Sequence, residues 1–251
     1  MLTTFCDINF LYNSIVLNSN IRFIYFDVDD TILDHKSAER AALQLTYDHF
    51  AELKRTSIQD LWHHYHTINV KLWQDYGHGL IDRPYLEINR FTLTLNDLGI
   101  STIDPNEMRS FYMKCYQKNW SWMEHAEIVL KELHKNYPIG FLTNGFRELQ
   151  RAKADKFNLM SYGKHYVISE EVGHMKPSRE IFEFATKLAN VPAHQILYVG
   201  DSFPSDILGG SRFGWKTAWF TNSQDPESIK YATIVFDDLQ KLPDLIQNVL
   251  H

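Results

Sequence analysis

Ile21-Arg22-Phe23-Ile24-Tyr25-Phe26-Asp27-Val28-Asp29-Asp30-Thr31-Ile32-Leu33-Asp34 opens as an apolar, strand-like run and stops abruptly on carboxylates and a threonine. Carboxylates are rarely buried unless something pairs them, so acids that close a strand invite a cation or a reaction. At the carboxyl end of a strand they stand where open α/β sheets bind their ligands. The turn breaks strand alternation, which lets Asp27 and Asp29 lean towards one pocket. Asp27 is then a candidate nucleophile and Asp29 a candidate acid/base, because one carboxylate can attack a phosphoryl group while a second carboxyl group protonates the leaving oxygen and later deprotonates water. Taken alone, the same residues also describe a strand followed by an acidic turn that caps the next helix.

The surroundings narrow the choice. A chain of 251 residues can bury one generous core, or a core and a smaller unit. A hydrophobic content of 44% with 22% charged residues is that of an ordinary globular protein. The formal net charge of -6, without a basic block, argues against a nucleic-acid partner. Cys6 and Cys115 match no zinc spacing and suit a reducing, cytoplasmic compartment. Residues 1 to 20 read as an N-terminal extension: Asp7 and several asparagines interrupt the apolar patches, and no basic region precedes them, so neither a signal peptide nor a membrane span is expected.

Beyond the acidic turn, residues 36 to 120 change character. Apolar residues recur at helical spacing over Ala38 to Lys54, Ser57 to Tyr76, Arg83 to Leu98 and Asn106 to Trp120, which predicts a helical insertion. Asp104-Pro105 is a helix start, and Gly77 and Gly79 mark a stop and a bend. His63, His64 and His66 are read as a packed or solvated helix face rather than as metal ligands, since no matching partner lies nearby in sequence. From Ser121 onward strands and helices alternate, which predicts a parallel sheet flanked by helices and built from residues 21 to 35 and 121 to 251.

Three further strand ends carry chemistry. Thr143, Asn144 and Gly145 close one strand with a hydroxyl and the backbone N–H groups of a permissive turn, a phosphate cradle or simply a tight turn. Lys176 precedes Pro177, which fits a first helical position, and its ammonium can neutralise a phosphate or hold the nucleophilic carboxylate ionised. Asp201 closes the strand Ile196 to Gly200, and Asp206 follows as a helix-start acid able to orient Lys176 or a metal-bound water. Asp27, the backbone carbonyl of Asp29, and Asp201 make a set of hard oxygen ligands suited to Mg2+.

In this order the strand ends resemble the motifs of the haloacid dehalogenase superfamily, and the helical insertion after the first motif is similar to its C1 cap. The resemblance implies a Rossmann-like α/β core with an inserted α-helical cap, Mg2+ dependence, and phosphoryl transfer through an aspartyl-phosphate. On the matching positions it implies Asp27 as nucleophile, Asp29 as acid/base, Thr143, Asn144 and Lys176 as phosphate-binding groups, Asp27, Asp29 and Asp201 at the metal, and Thr31 and Asp206 in support. Phe141 to Gln150, Val167 to Phe182 and Val199 to Gly210 are similar to the branch holding pyrimidine 5′-nucleotidases and N-acylneuraminate-9-phosphatases. Dehalogenases lack an acid at the position of Asp29 and transport ATPases carry Thr there, so the expected activity is a phosphatase acting on a small phosphate monoester. A sugar-phosphate phosphatase, a phosphomutase and a non-catalytic phosphate-binding protein are the alternatives.

Overall fold

A computed structural model of the chain describes residues 21 to 250; the N-terminal extension and Cys6 lie outside them. The chain divides into two compact units, one holding residues 21–33 and 122–250, the other Asp34–Ser121.

The first unit is built on a six-stranded parallel sheet in the order β3-β2-β1-β4-β5-β6. The strands are β1 (Phe23–Phe26), β2 (Ile139–Thr143), β3 (His165–Ile168), β4 (Ile196–Gly200), β5 (Lys216–Phe220) and β6 (Ile234–Phe236). Every residue of β1 is buried, as expected for a strand covered on both faces. Side chains alternate between those faces: Ile24 and Phe26 join one apolar cluster with Val129, Leu130 and Leu133, while Phe23 and Tyr25 join the other with Ile181, Phe182 and Ala185. The chain leaves β1 for β2 and β3 on one side, then returns to β4 on the other. The crevice between the carboxyl ends of β1 and β4 is therefore the switch point at which such sheets bind ligands.

The second unit consists of α1 (His35–His49), α2 (Ile58–Gly77), α3 (Arg83–Asp97) and α4 (Pro105–Lys118), with a 3-10 turn at Ala51–Arg55. The sequence marks each start. Asp34, Ser57, Asp82 and Asp104 accept from backbone N–H groups of the first turn, and proline occupies the beginning of α3 and α4. The interior is aromatic: the Tyr65, Phe91 and Tyr112 rings meet at centroid separations of 5.3 to 5.5 Å. Buried Arg90 lies with its guanidinium carbon 5.1 Å from the Phe91 ring centroid, a cation–π arrangement. His66 stacks on Trp62 and stands 3.5 Å from buried Glu39, and His64 stands 3.5 Å from Asp97. Both histidines thus have acidic partners brought in from other helices, which sequence proximity did not reveal. No helix among the described residues is long and apolar enough to cross a membrane.

The longer of the remaining helices flank the sheet: α5 (Ala126–Leu133), α6 (Arg147–Lys156), α7 (Arg179–Ala189), α8 (Leu208–Phe213) and α9 (Leu242–Leu250), with single turns at Ser169–Val172 and Pro226–Ile229. Two starts differ from expectation. Pro177 does not begin α7; the Asn144 side chain grips the backbone of Lys176 on both sides and Ser178 N donates to Met175 O at 2.8 Å. That turn delays helix entry until Arg179. Before α8 the chain makes a wide π turn over Phe203–Ile207, a form concentrated at functional sites.

Candidate active site

Asp27 directly follows β1, and its N–H donates to Val199 O of β4 at 2.8 Å. Asp201 follows β4, one strand over, and its carbonyl accepts from the Trp219 indole at 2.9 Å. Parallel pairing of Phe26 with Val199 therefore delivers both acids to the same edge of the sheet. Asp206 comes back to that edge through the π turn, held by Ser202 N–H at 3.0 Å. Gly200 makes the approach possible, since a Cβ there would stand 2.4 Å from Asp206 Oδ2. Carboxylate oxygens of Asp27, Asp201 and Asp206 lie within 4.8 Å of one another.

Lys176 enters this cluster from the β3–α7 connection. Its ammonium donates to Asp27 Oδ1 at 2.6 Å, Asp206 Oδ1 at 2.8 Å and the Tyr198 hydroxyl at 2.8 Å, with its side chain 2% exposed. Burial works against the charge, but Asp206 and Asp27 outweigh it and hold the ammonium protonated well above the ordinary lysine range. For Asp27 burial is again the largest influence and pushes the carboxyl up; Lys176 pulls it down, while Asp206 and Asp201 reinforce burial. The contrast has a simple origin. One ammonium in contact with the cluster faces three carboxylates, so Lys176 is secured while Asp27 carries the excess negative charge. A divalent cation with oxygen ligands offsets such an excess, and the donor set fits Mg2+.

Thr31 Oγ1 is buried and 3.4 Å from Asp27 Oδ2, a long contact that steadies the carboxylate only weakly. Thr143 is buried at the end of β2, and its hydroxyl donates to Asn144 O at 3.2 Å. Asn144, expected among the phosphate-binding groups, has its side chain committed elsewhere: Oδ1 accepts from Lys176 N at 2.8 Å and Nδ2 donates to Lys176 O at 3.0 Å. It clamps the loop that presents the lysine. The Gly145 N–H donates to Ser169 Oγ at 3.0 Å, tying the β2 turn to β3. Glu170 accepts from Arg147 N at 2.6 Å, and Glu171 forms a two-point pair with Arg151, so both are engaged at α6.

Asp29 is turned to a different partner. Its Oδ1 accepts from Lys153 Nζ at 2.6 Å and its Oδ2 from Gln150 Nε2 at 2.8 Å, both on α6. The sequence reading missed Lys153, Gln150 and Tyr198. For Tyr198 the signal was a hydroxyl in the otherwise apolar run Ile196 to Val199. For α6 no local signal existed, because a lysine and a glutamine on an amphipathic helix look like solvent-facing residues.

The acids and the lysine thus gather at the strand ends, at the switch point of the parallel sheet. The haloacid dehalogenase-like hydrolase family model matches residues 21–214, and the chain belongs to that family. With a nucleotidase and a phosphatase among its relatives, it is a phosphoric monoester hydrolase. The pyrimidine 5′-nucleotidase YjjG of Escherichia coli is 30% identical over 89% of this chain and 97% of its own length. Human N-acylneuraminate-9-phosphatase is 26% identical over 92% of this chain and 96% of its own. The magnesium-bound crystal structure of the putative hydrolase YfnB from Bacillus subtilis superposes with a TM-score of 0.76 at 27% identity, covering 90% of this chain and 99% of that one.

Proposed function

We propose that the chain is a Mg2+-dependent, cytoplasmic phosphatase that hydrolyses pyrimidine nucleoside 5′-monophosphates through an aspartyl-phosphate on Asp27. The observation that carries this reading is the pair of carboxylates after β1, each in contact with its own lysine: Asp27 with Lys176 and Asp29 with Lys153. Two carboxylates in separate environments take separate roles. An Asp27 oxygen bonds to phosphorus as the bond to the leaving oxygen breaks, and Asp29 supplies the proton that oxygen needs. A water oxygen then bonds to phosphorus, the bond to Asp27 breaks, and Asp29 takes the water's proton. Lys176, charged throughout, balances the negative charge gathered at Asp27. When Mg2+ is held by Asp27, Asp201 and the Asp29 carbonyl, charge on the phosphoryl oxygens is offset as well.

The pyrimidine assignment rests on the likeness to YjjG across nearly its full length. The likeness to N-acylneuraminate-9-phosphatase favours a sugar-phosphate reading in second place. Phosphate release with Mg2+ from UMP, dUMP, dTMP, purine monophosphates, N-acylneuraminate 9-phosphate and hexose phosphates decides between them, with Asp27→Asn as blank. Preferential turnover of the pyrimidine esters is expected. Preference for N-acylneuraminate 9-phosphate would transfer the assignment to the second reading, and esters that stay intact while Mg2+ and phosphate bind would favour a mutase or a binding protein.

Metal binding carries its own pH signature. The burial that raises Asp27 makes it take up a proton at a higher pH than an ordinary carboxylate, and a proton there competes with the cation. Calorimetric titration with MgCl2 is expected to give weaker binding at about pH 5 than at about pH 7.5. Equal affinity at the two values would remove Asp27 from the metal set.

A further inference from the structure

The partners of Asp29 on α6 form a built arrangement to which the reaction outlined above assigns no step. Lys153 is buried, its side chain 4% exposed, whereas that of Asp29 is 24% exposed. The ammonium therefore sits on the interior side of the pair and the carboxylate is its more exposed member. Gln150 is buried one helical turn before Lys153, and residues three apart share a helix face. Gln150 is itself held in place: the Tyr166 hydroxyl donates to its Oε1 at 3.3 Å. Its room comes from Gly145, which has a φ of +147°, and where a Cβ would stand 2.8 Å from Gln150 Nε2. Interiors accept a lysine ammonium only when it is paired and hydrogen-bonded. Here the whole arrangement converges on the side chain proposed as acid/base.

We propose that Lys153 and Gln150 are positioning residues that fix the direction of the Asp29 carboxylate for hydrolysis of the aspartyl-phosphate. The inference rests on the roles given to Asp27 and Asp29 under the proposed function. In that half-reaction the water oxygen bonds to phosphorus, the phosphorus–oxygen bond to Asp27 breaks with its electron pair returning to the Asp27 carboxylate, and the water's proton passes to Asp29. Asp29 acts there as the proton acceptor. The Lys153 ammonium on Oδ1 and the Gln150 amide on Oδ2 together fix the plane of the group. Losing that fixed direction should cost turnover about 10²-fold, the usual penalty for misplacing a reacting group by about an ångström.

The test is a double-mutant cycle in the full chain with p-nitrophenyl phosphate and Mg2+, whose phenolate leaves without needing a proton. Lys153→Met is expected to lower kcat about 10²-fold and to lower KM along with it, leaving kcat/KM nearly unchanged, because only the hydrolysis of the phosphoenzyme is slowed. It should also release a burst of p-nitrophenolate approaching one equivalent per site, because formation of the phosphoenzyme outruns its hydrolysis. In an Asp29→Asn background the same substitution is expected to cost nothing further. A full additional loss in that background, an effect confined to KM, or a slowed reaction without a burst would overturn the proposal and leave Lys153 a structural or substrate-binding residue. Gln150→Met, which removes no charge, carries the same test if Lys153→Met does not fold, with thermal unfolding recorded for every variant. Asp27→Asn turning over at the wild-type rate would instead overturn the nucleophile assignment, and the cycle would still report whether Lys153 acts through Asp29.

Discussion

Asp27→Asn is expected to reduce phosphate release by at least about 10³-fold, since removing the group that forms the covalent intermediate eliminates the pathway rather than slowing it. The substitution preserves shape, so the fold and the Lys176–Asp206 contact at 2.8 Å survive. Burial and the acids Asp206 and Asp201 all work against ionised Asp27, so the neutral amide relieves part of the charge excess. Steady-state assays beside thermal unfolding check both halves of the prediction: activity lost, stability kept. An Asp27→Asn enzyme within about tenfold of wild type would exclude a covalent role for this residue.

Lys176→Met is expected to damage both activity and stability. Asp206 is fully buried and Asp27 nearly so, and each loses the ammonium that balances it. Breaking a buried pair by deleting one partner costs roughly 3–5 kcal/mol, which corresponds to a fall in Tm of roughly 6 to 20 °C for a chain of this size. The pH dependence of that contribution follows from the direction of the lysine's shift. Its folded value lies above the unfolded one near about 10.4, so its stabilisation is complete below about pH 10 and fades only as pH rises through the folded value. Between about pH 6 and 9 the lysine itself therefore adds no pH dependence to the Tm difference between wild type and Lys176→Met, and any slope there reports Asp27, which the substitution pushes up further. Adding Asp206→Asn to Lys176→Met removes one of the stranded charges, so it should recover part of the Tm and none of the turnover. Recovery of turnover as well would mean that Lys176 serves the fold alone.

The strand ends were legible because each announces itself locally. The apolar runs before Asp27 and Asp201 predicted β1 and β4 to within a residue or two of their observed bounds, since a strand buried on both faces is predominantly apolar. The helix start at Asp104 was equally readable, because capping is chemistry between residues a few positions apart. Pro177 was misread for a related reason. Its place before a helix is a local pattern, but what holds the chain out of helix there is Asn144, 32 residues earlier.

Sequence alone determined the parallel α/β architecture, the helical character of residues 36 to 120, and the candidate acids and lysine that end the strands, because periodicity, capping and strand-end chemistry act over short separations along the chain. Only the tertiary structure decided what each of those groups touches. Adjacency of β1 and β4 brings Asp27 and Asp201 to one edge, and the π turn carries Asp206 onto Lys176. Docking of α6 sets Lys153 and Gln150 against Asp29, 124 and 121 residues away. A buried ammonium acquires its meaning from the charge it neutralises, and that partner is chosen by how the sheet and helices pack, not by sequence neighbours.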